Sequence, residues 1–438
     1  MKRSLILCAA ALLLSMPTTL EAQTLALVNA TVWDGSSDPV EGQTLIVRRG
    51  VITAVGNSPA VPSGAEIIDV GGKLVTPGFI GMGTRIGLVE IGLEASTRDD
   101  APLSGEVDAV RASFSAIDGF NPRSTLLGVA RMGGITSVVS TPSGGLIGGT
   151  SAWVDLSLGR LASRVVERAS ALHVDLDDGG VSSAGGAMPA ALGRLREVLE
   201  DARLFAREGR AYERRALREM GVSRHDLMRV AAALRGELPV VIRVSRADNI
   251  VRALDIAEEY GLDLILAGAE EGWMVAEEIA ESEASVIVQP QSNMPSRFSR
   301  LASRYDNPTL LHAAGVELII TNFDAHGLHN LRQEAGNAVA LGLPRNVALR
   351  ALTSVPASAL GDDERGRLGA GRVADLVVWS GDPFELSSVP ERMFIRGVDT
   401  SMRSRQTALF ERYRDLSNIR RGQAEIQGAA SLTVVEPD

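Results

Sequence analysis

Cysteine is all but missing from this chain: Cys8 is the single one. It lies in an N-terminal stretch with the pattern of an export signal. Lys2 and Arg3 form a charged start, Leu5 to Leu14 an apolar run, and Leu20-Glu21-Ala22 a cleavage sequence before Gln23. The processed chain would then hold no cysteine, which excludes disulfides, thiolate metal sites and a cysteine nucleophile. The apolar run is too short to cross a membrane as a helix, so no membrane span is expected in the mature chain. Lysine is nearly as scarce, with Lys2 and Lys73 the only two. Histidine occurs five times, which limits any imidazole-built metal site. Aromatic residues make up 4% of the chain, so a core drawn from its 45% hydrophobic content must be filled by aliphatic side chains. Positive charge is also in deficit. The formal net charge is -10, and loss of the signal would make it one unit more negative, so no nucleic-acid partner is expected. No Gly-x-Ser-x-Gly elbow is present. The glycine-rich Thr141–Trp153 stretch lacks the Gly-Lys-Ser/Thr of a phosphate loop.

What is present has two textures. From Leu25 to Val75, short runs of alternating apolar residues are punctuated by Asp-Gly and Gly-Gly, the pattern of antiparallel strands. From Phe79 onward, strands alternate with helical segments. Apolar strands are expected at Val240–Val244, Leu264–Ala267 and Ala284–Val288, with amphipathic helices over Asp248–Tyr260 and Trp273–Glu281 between them. Thr136–Val139, Leu172–Leu176 and Leu318–Thr321 are further strand candidates. Repeated strand–helix units imply a parallel sheet covered by helices, here an α/β (β/α)8 TIM-type barrel, with a doubly wound open sheet as the alternative. Arg194 to Arg235 is a helix-rich, arginine-dense excursion whose charges read as a solvated face. From Gly366 the strand texture returns. The expected organisation is a signal peptide over 1–22, the N-terminal part of a small β-sandwich domain over 23–76, the barrel over 77–362, the C-terminal part of the sandwich over 363–402, and a terminal helix and tail over 403–438.

Three segments carry a family resemblance. "KLVTPGFI" is similar to the entry into the first barrel strand of the amidohydrolase superfamily, in particular its exported, imidazolonepropionase-like branch. "NLRQEAGNAVALGLPRNVALRALTSVPASALG" resembles the helices after the last strand, and "GRLGAGRVADLVVWSGDPFE" the return into a β-sandwich built from both chain ends. The resemblance implies hydrolysis of non-peptide carbon–nitrogen bonds by one or two divalent metals, such as zinc, at the C-terminal mouth of the barrel. The family's ligands are His-x-His after strand 1, histidines after strands 5 and 6, an aspartate after strand 8 and, in some members, a carboxylated lysine after strand 4. Such a metal lowers the pKa of its bound water from 15.7 to about 7.

Carried over position by position, that ligand set is largely replaced. Gly83 and Arg85 stand at the His-x-His positions, Arg243 after strand 5 and Ala269 after strand 6. Lys73 precedes the barrel, so no strand-4 lysine exists. Asp324 is the candidate strand-8 aspartate and the one catalytic residue expected, although the spacing also allows Asn322 or Phe323 at that position. A guanidinium has no lone pair to offer a metal and stays protonated. Arg85 and Arg243 are instead expected to take over the metal's space and charge by pairing with Asp324, with Glu270 or Glu271 as other partners. His173 falls on strand 4 and reads as a polar barrel residue, His225 as surface and His312 as a helix residue. Asp324, His326 and His329 form the one cluster from which another site could be built. The reading that follows is an exported amidohydrolase homologue, periplasmic in a two-membrane bacterium, with a degenerate metal site. It is expected to carry no metal cofactor and to act as a binding or partner subunit, taking a small-molecule or carboxylate ligand or an active homologue. The alternative is an active hydrolase centred on Asp324, His326 and His329.

Overall fold

The computed structural model describes residues 24–103, 108–214, 218–292 and 294–414. The expected signal peptide, Cys8 and the tail beyond 414 lie outside the described residues.

Two eight-stranded sheets organise the chain. The first joins the chain ends. Its N-terminal strands are β1 (Thr24–Val32), β2 (Val40–Arg48), β3 (Val51–Gly56), β4 (Glu66–Asp69) and β5 (Leu74–Pro77). The β2–β3 turn is tight because Arg49 and Gly50 both take positive φ, the geometry that matches hairpin twist. The C-terminal end supplies β14 (Leu376–Trp379), β15 (Pro390–Ile395) and β16 (Val398–Asp399). β14 pairs antiparallel with β5, setting Leu376 opposite Pro77 and Trp379 opposite Leu74. The Trp379 indole also donates to the Thr76 hydroxyl at 2.9 Å. Leu27, Leu45, Ile52, Val75, Leu376 and Phe394 fill one shared hydrophobic cluster. Where a small sandwich was expected, both ends thus join in one continuous sheet that branches at β1, which pairs β4 along its first half and β5 along its second.

The second sheet curls into a nearly closed barrel. Its strands lie side by side in chain order: β6 (Phe79–Thr84), β7 (Ile135–Ser140), β8 (Ile147–Asp155), β9 (Val165–Asp175), β10 (Val240–Val244), β11 (Leu264–Gly268), β12 (Ser285–Val288) and β13 (Leu318–Ile320). Gly78 lets β6 start where it does, since a Cβ there would lie 2.1 Å from Thr136 Cγ2. Between β13 and β6 the seam is held by side chains. The Thr321 hydroxyl donates to the Met82 carbonyl, and the Thr84 hydroxyl to the Asp324 carbonyl at 2.9 Å.

One strand departs from a pure (β/α)8 pattern. β8 is antiparallel to both neighbours, while the other adjacent pairs run parallel. Only residues 141–146 link β7 to β8, and a parallel crossover needs about a dozen residues or more. Gly144 and Gly145 turn the chain with φ of 76° each, and the Arg111 guanidinium holds the turn by donating to Ser143 O and Gly144 O at 3.1 and 2.5 Å. The Thr141–Trp153 stretch is therefore a hairpin running into a fully buried strand.

Helices Met188–Glu213 and Arg224–Leu234 form the arginine-dense excursion. Several of its cations are paired at the surface, among them Arg196 with Glu259 at 3.0 Å and Arg203 with Glu200 at 3.2 Å. The terminal helix, expected within 403–438, runs Arg405–Tyr413 behind a Ser404 capping box.

Candidate active site at the barrel mouth

A cavity of about 300 Å³ opens at the C-terminal ends of the barrel strands, the end at which barrels of this type place their sites. The hairpin residues Thr141 to Gly145 form one wall, and Val241, Ala267 and Ile287 give it an apolar floor. Gly83, Arg85, His173, Asp175, Arg243 and Phe323 also face it. Sequence reasoning thus placed Gly83, Arg85 and Arg243 on positions that the fold brings together.

β9 and β10 run parallel, with Arg243 in register beside Asp175 and Val241 beside His173. Strand alternation turns His173 and Asp175 to the same side. His173 is buried, which pushes its imidazole down to about 3, so the ring is neutral. Its Nε2 is shut off from solvent and makes no hydrogen bond. Asp175 is pushed up to about 6 by burial, against the Asp177 amide at 2.8 Å and the nearby charge of Arg243. Asp177 is raised by burial as well, although the Ser245 hydroxyl donates to it at 2.7 Å. The guanidinium of Arg243 lies over the Phe323 ring, 4.6 Å from its centroid. Among the described residues no carboxylate comes within 4.0 Å of it.

The expected pairing of the two arginines with Asp324 is corrected by the structure. Arg85 Nη1 meets Asp100 Oδ2 at 3.5 Å. Asp100 is fully buried and also takes Arg98 at 3.2 Å and the Ser143 hydroxyl at 2.6 Å. Burial pushes its carboxyl up, but the Ser143 hydroxyl, Arg98 and Arg85 outweigh that and hold it below its ordinary value. Glu270 is spoken for by Arg300 at 2.7 Å, and Glu271 by the amides of Ala247 and Ala302. Asp324 itself faces away from the cavity with its side chain half exposed, and accepts from the Gly327 amide at 3.0 Å. The reason is local. Phe323 takes a φ of 27°, and this turn puts the phenyl ring, not the next carboxylate, into the mouth.

Ala269 also stands off the cavity. It is buried at a φ of 45° with its amide on the Val244 carbonyl at 2.8 Å, and Ala267 is the β11 residue that faces inward. The cluster considered as an alternative site does not converge on the cavity. The His326 ring bonds the Glu90 carbonyl at 2.8 Å, the His329 ring bonds the His326 carbonyl at 3.0 Å, and His326 lies 3.9 Å from Asp324. Among the described residues, no three His, Cys, Asp or Glu side chains are placed to hold a metal ion. The donor set at the mouth therefore does not fit the metal that the fold family implies.

Asp100 and Asp175 were missed as site residues, whereas Phe323, which the spacing allows at the strand-8 position, is the residue that faces the cavity. For Asp175 the signal was available, since "LHVDL" sets it two residues beyond His173 at the end of a barrel strand. Asp100 reaches the mouth through a loop, and no periodicity marks it.

Comparison with known proteins fits this architecture. A family model described as "Amidohydrolase family" matches residues 320–393, from the end of β13 into β15. The chain is 25% identical over 421 residues to the amidohydrolase tasK of Hapsidospora irregularis, covering 84% of this chain. It spans 42% of the length of that curated relative. An amidohydrolase crystal structure from Thermotoga maritima MSB8 superposes with a TM-score of 0.78 at 26% identity, covering 86% of this chain and 100% of the other. Phenylurea hydrolase B shares the fold, with a TM-score of 0.53 at 18% identity, covering 87% of this chain and 97% of that one. Together the matched segment, the curated relative and the Thermotoga structure support a place for this chain in the amidohydrolase superfamily.

Proposed function

We propose that this protein is an amidohydrolase homologue whose barrel mouth has exchanged metal chemistry for ligand binding, and that it works as an exported binding or partner subunit. The observation that carries the reading is the pair of guanidinium groups, Arg85 and Arg243, facing the one cavity where the superfamily's ligands would stand. Like charges at about 4 Å repel by roughly 4 kcal/mol at an effective dielectric constant near 20, and a divalent ion doubles that. Neither guanidinium can ligate a cation, and Gly83 offers no side chain at all.

The groups left can still bind and orient. Arg243 presents charged donors, His173 a neutral imidazole, and Asp175 a carboxyl able to hold or release a proton near pH 6. Among the described residues no three His, Cys, Asp or Glu side chains are placed to hold a metal that would supply hydroxide, so the superfamily's hydrolysis is expected to be impaired. The experiment is a turnover assay on N-acyl amino acids and dipeptides, run with and without added zinc. Release of amine no faster than the uncatalysed background is expected in both arms. Zinc-stimulated turnover that disappears in Arg243→Ala would overturn the reading and favour an active hydrolase.

A further inference from the structure

We propose that the cavity takes a short aliphatic hydroxycarboxylate, with its carboxylate on Arg243 and its hydroxyl on His173. This deepens the ligand-binding reading of the same site and rests on it.

The charged end follows from the two arginines. No hydrogen bond or ion pair among the described residues engages the Arg243 guanidinium, while stacking on Phe323 holds its plane. A planar fork with free donors is the geometry that a carboxylate matches in bidentate fashion. Arg85 adds to the field, because it shares the single Asp100 carboxylate with Arg98, and two cations around one anion leave a positive surplus. Asp175 stands in register beside Arg243 and offsets part of that charge. The mouth therefore suits one negative charge on the ligand better than the two or more of a phosphate.

The body of the ligand follows from the floor. Val241, Ala267 and Ile287 offer only aliphatic surface, so a few methylene or methyl groups are favoured there. Size limits the rest. At about 30 Å³ for each water, a 300 Å³ cavity holds roughly ten waters, or a molecule of about ten non-hydrogen atoms or fewer.

The hydroxyl follows from His173. The ring lines the cavity, and with Nε2 closed to solvent the nitrogen left open to a ligand is Nδ1, which makes no hydrogen bond among the described residues. A ligand hydroxyl both donates and accepts, so it satisfies the neutral ring in either tautomer.

The test is calorimetric titration of the full-length chain after chelator dialysis, with β-hydroxybutyrate, butyrate, butanediol and inorganic phosphate as probes. β-Hydroxybutyrate should bind most tightly, butyrate more weakly, and butanediol and phosphate least. Arg243→Ala should weaken both carboxylates by about tenfold or more, the range for a lost charged hydrogen bond. Arg243→Lys keeps the charge without the fork and should fall between, which gives a second reading should the alanine variant not fold. His173→Leu should abolish the preference for β-hydroxybutyrate over butyrate while leaving butyrate binding in place. Asp175→Asn should tighten both acids. The proposal is overturned if no probe binds, if phosphate or butanediol matches β-hydroxybutyrate, or if both Arg243 variants bind as the parent does. Zinc-dependent turnover would overturn the preceding reading without altering these titrations, so the two failures are distinguishable.

Discussion

At the scale of single residues, Gly83 shows most directly how backbone geometry shapes the mouth. It sits at a φ of 73°, and a Cβ there would lie 3.3 Å from Phe323 Cε1. A side chain at this position meets both a left-handed backbone and a ring edge. Gly83→Ala should therefore destabilise the fold by about 1–2 kcal/mol, the cost of a left-handed conformation for an L-residue, read from the denaturant midpoint. Loss of less than about 0.5 kcal/mol, within the scatter of ordinary surface substitutions, would mean that the backbone relaxes freely here. Much of the mouth was legible as residue types. The histidine-free stretches at strand ends and the arginines in their place can be read directly from "GMGTRIG" and "VVIRVS". What was not legible is where each side chain points. The turn at Phe323 exchanges an aspartate for a phenyl ring by one residue of backbone geometry. Asp100 comes from a loop 15 residues beyond Arg85 in sequence, and only three-dimensional closure brings the two charges together.

At the scale of elements, the junction between barrel and terminal sheet is ionic. Arg396, at the end of β15, pairs with Asp155 at the end of β8 at 2.7 Å, and its amide donates to Asp375 at 2.7 Å. Burial pushes Asp375 up to about 6, opposed by the Arg396 amide and the charge of Arg365. A carboxyl whose folded-state pKa is raised binds its proton more tightly folded than unfolded. Its burial therefore weakens the fold above about pH 6, and the penalty is relieved as pH falls toward the ordinary aspartate value. The full effect is on the order of 3 kcal/mol. Asp375→Asn keeps an acceptor for the Arg396 amide but cannot ionise. The stability of the parent relative to this variant should fall between about pH 4 and pH 7 and level off above. A difference that rises over that window would show the carboxylate to be net stabilising. Most strand and helix positions were legible to within a residue or two, but β9 begins at Val165, well before the expected Leu172, and the expected Trp273–Glu281 helix is a 3-10 turn over Gly272–Val275 followed by an α-helix over Ala276–Glu281. Val240–Val244 is the strand that its sequence suggests. The direction of β8 was not read from the sequence, yet the short link and the paired glycines contained it. A six-residue connection cannot return a strand parallel to its neighbour.

At the scale of the whole molecule, the barrel and the joining of both chain ends were legible because they depend on patterns spread over many residues. Repeated strand–helix units imply a closed parallel core, and two short β-segments, each too small to bury a face, are stable when paired. The function is harder to read because it depends on a handful of side chains at one end of that core. The account stands on a single claim, that charge at the mouth is carried by arginine and not by a bound cation. Metal content of the purified, dialysed protein, measured by elemental mass spectrometry against protein concentration, tests it most directly. The account predicts divalent transition metal far below one ion per chain. One zinc, or another divalent ion, retained stoichiometrically through dialysis would contradict it.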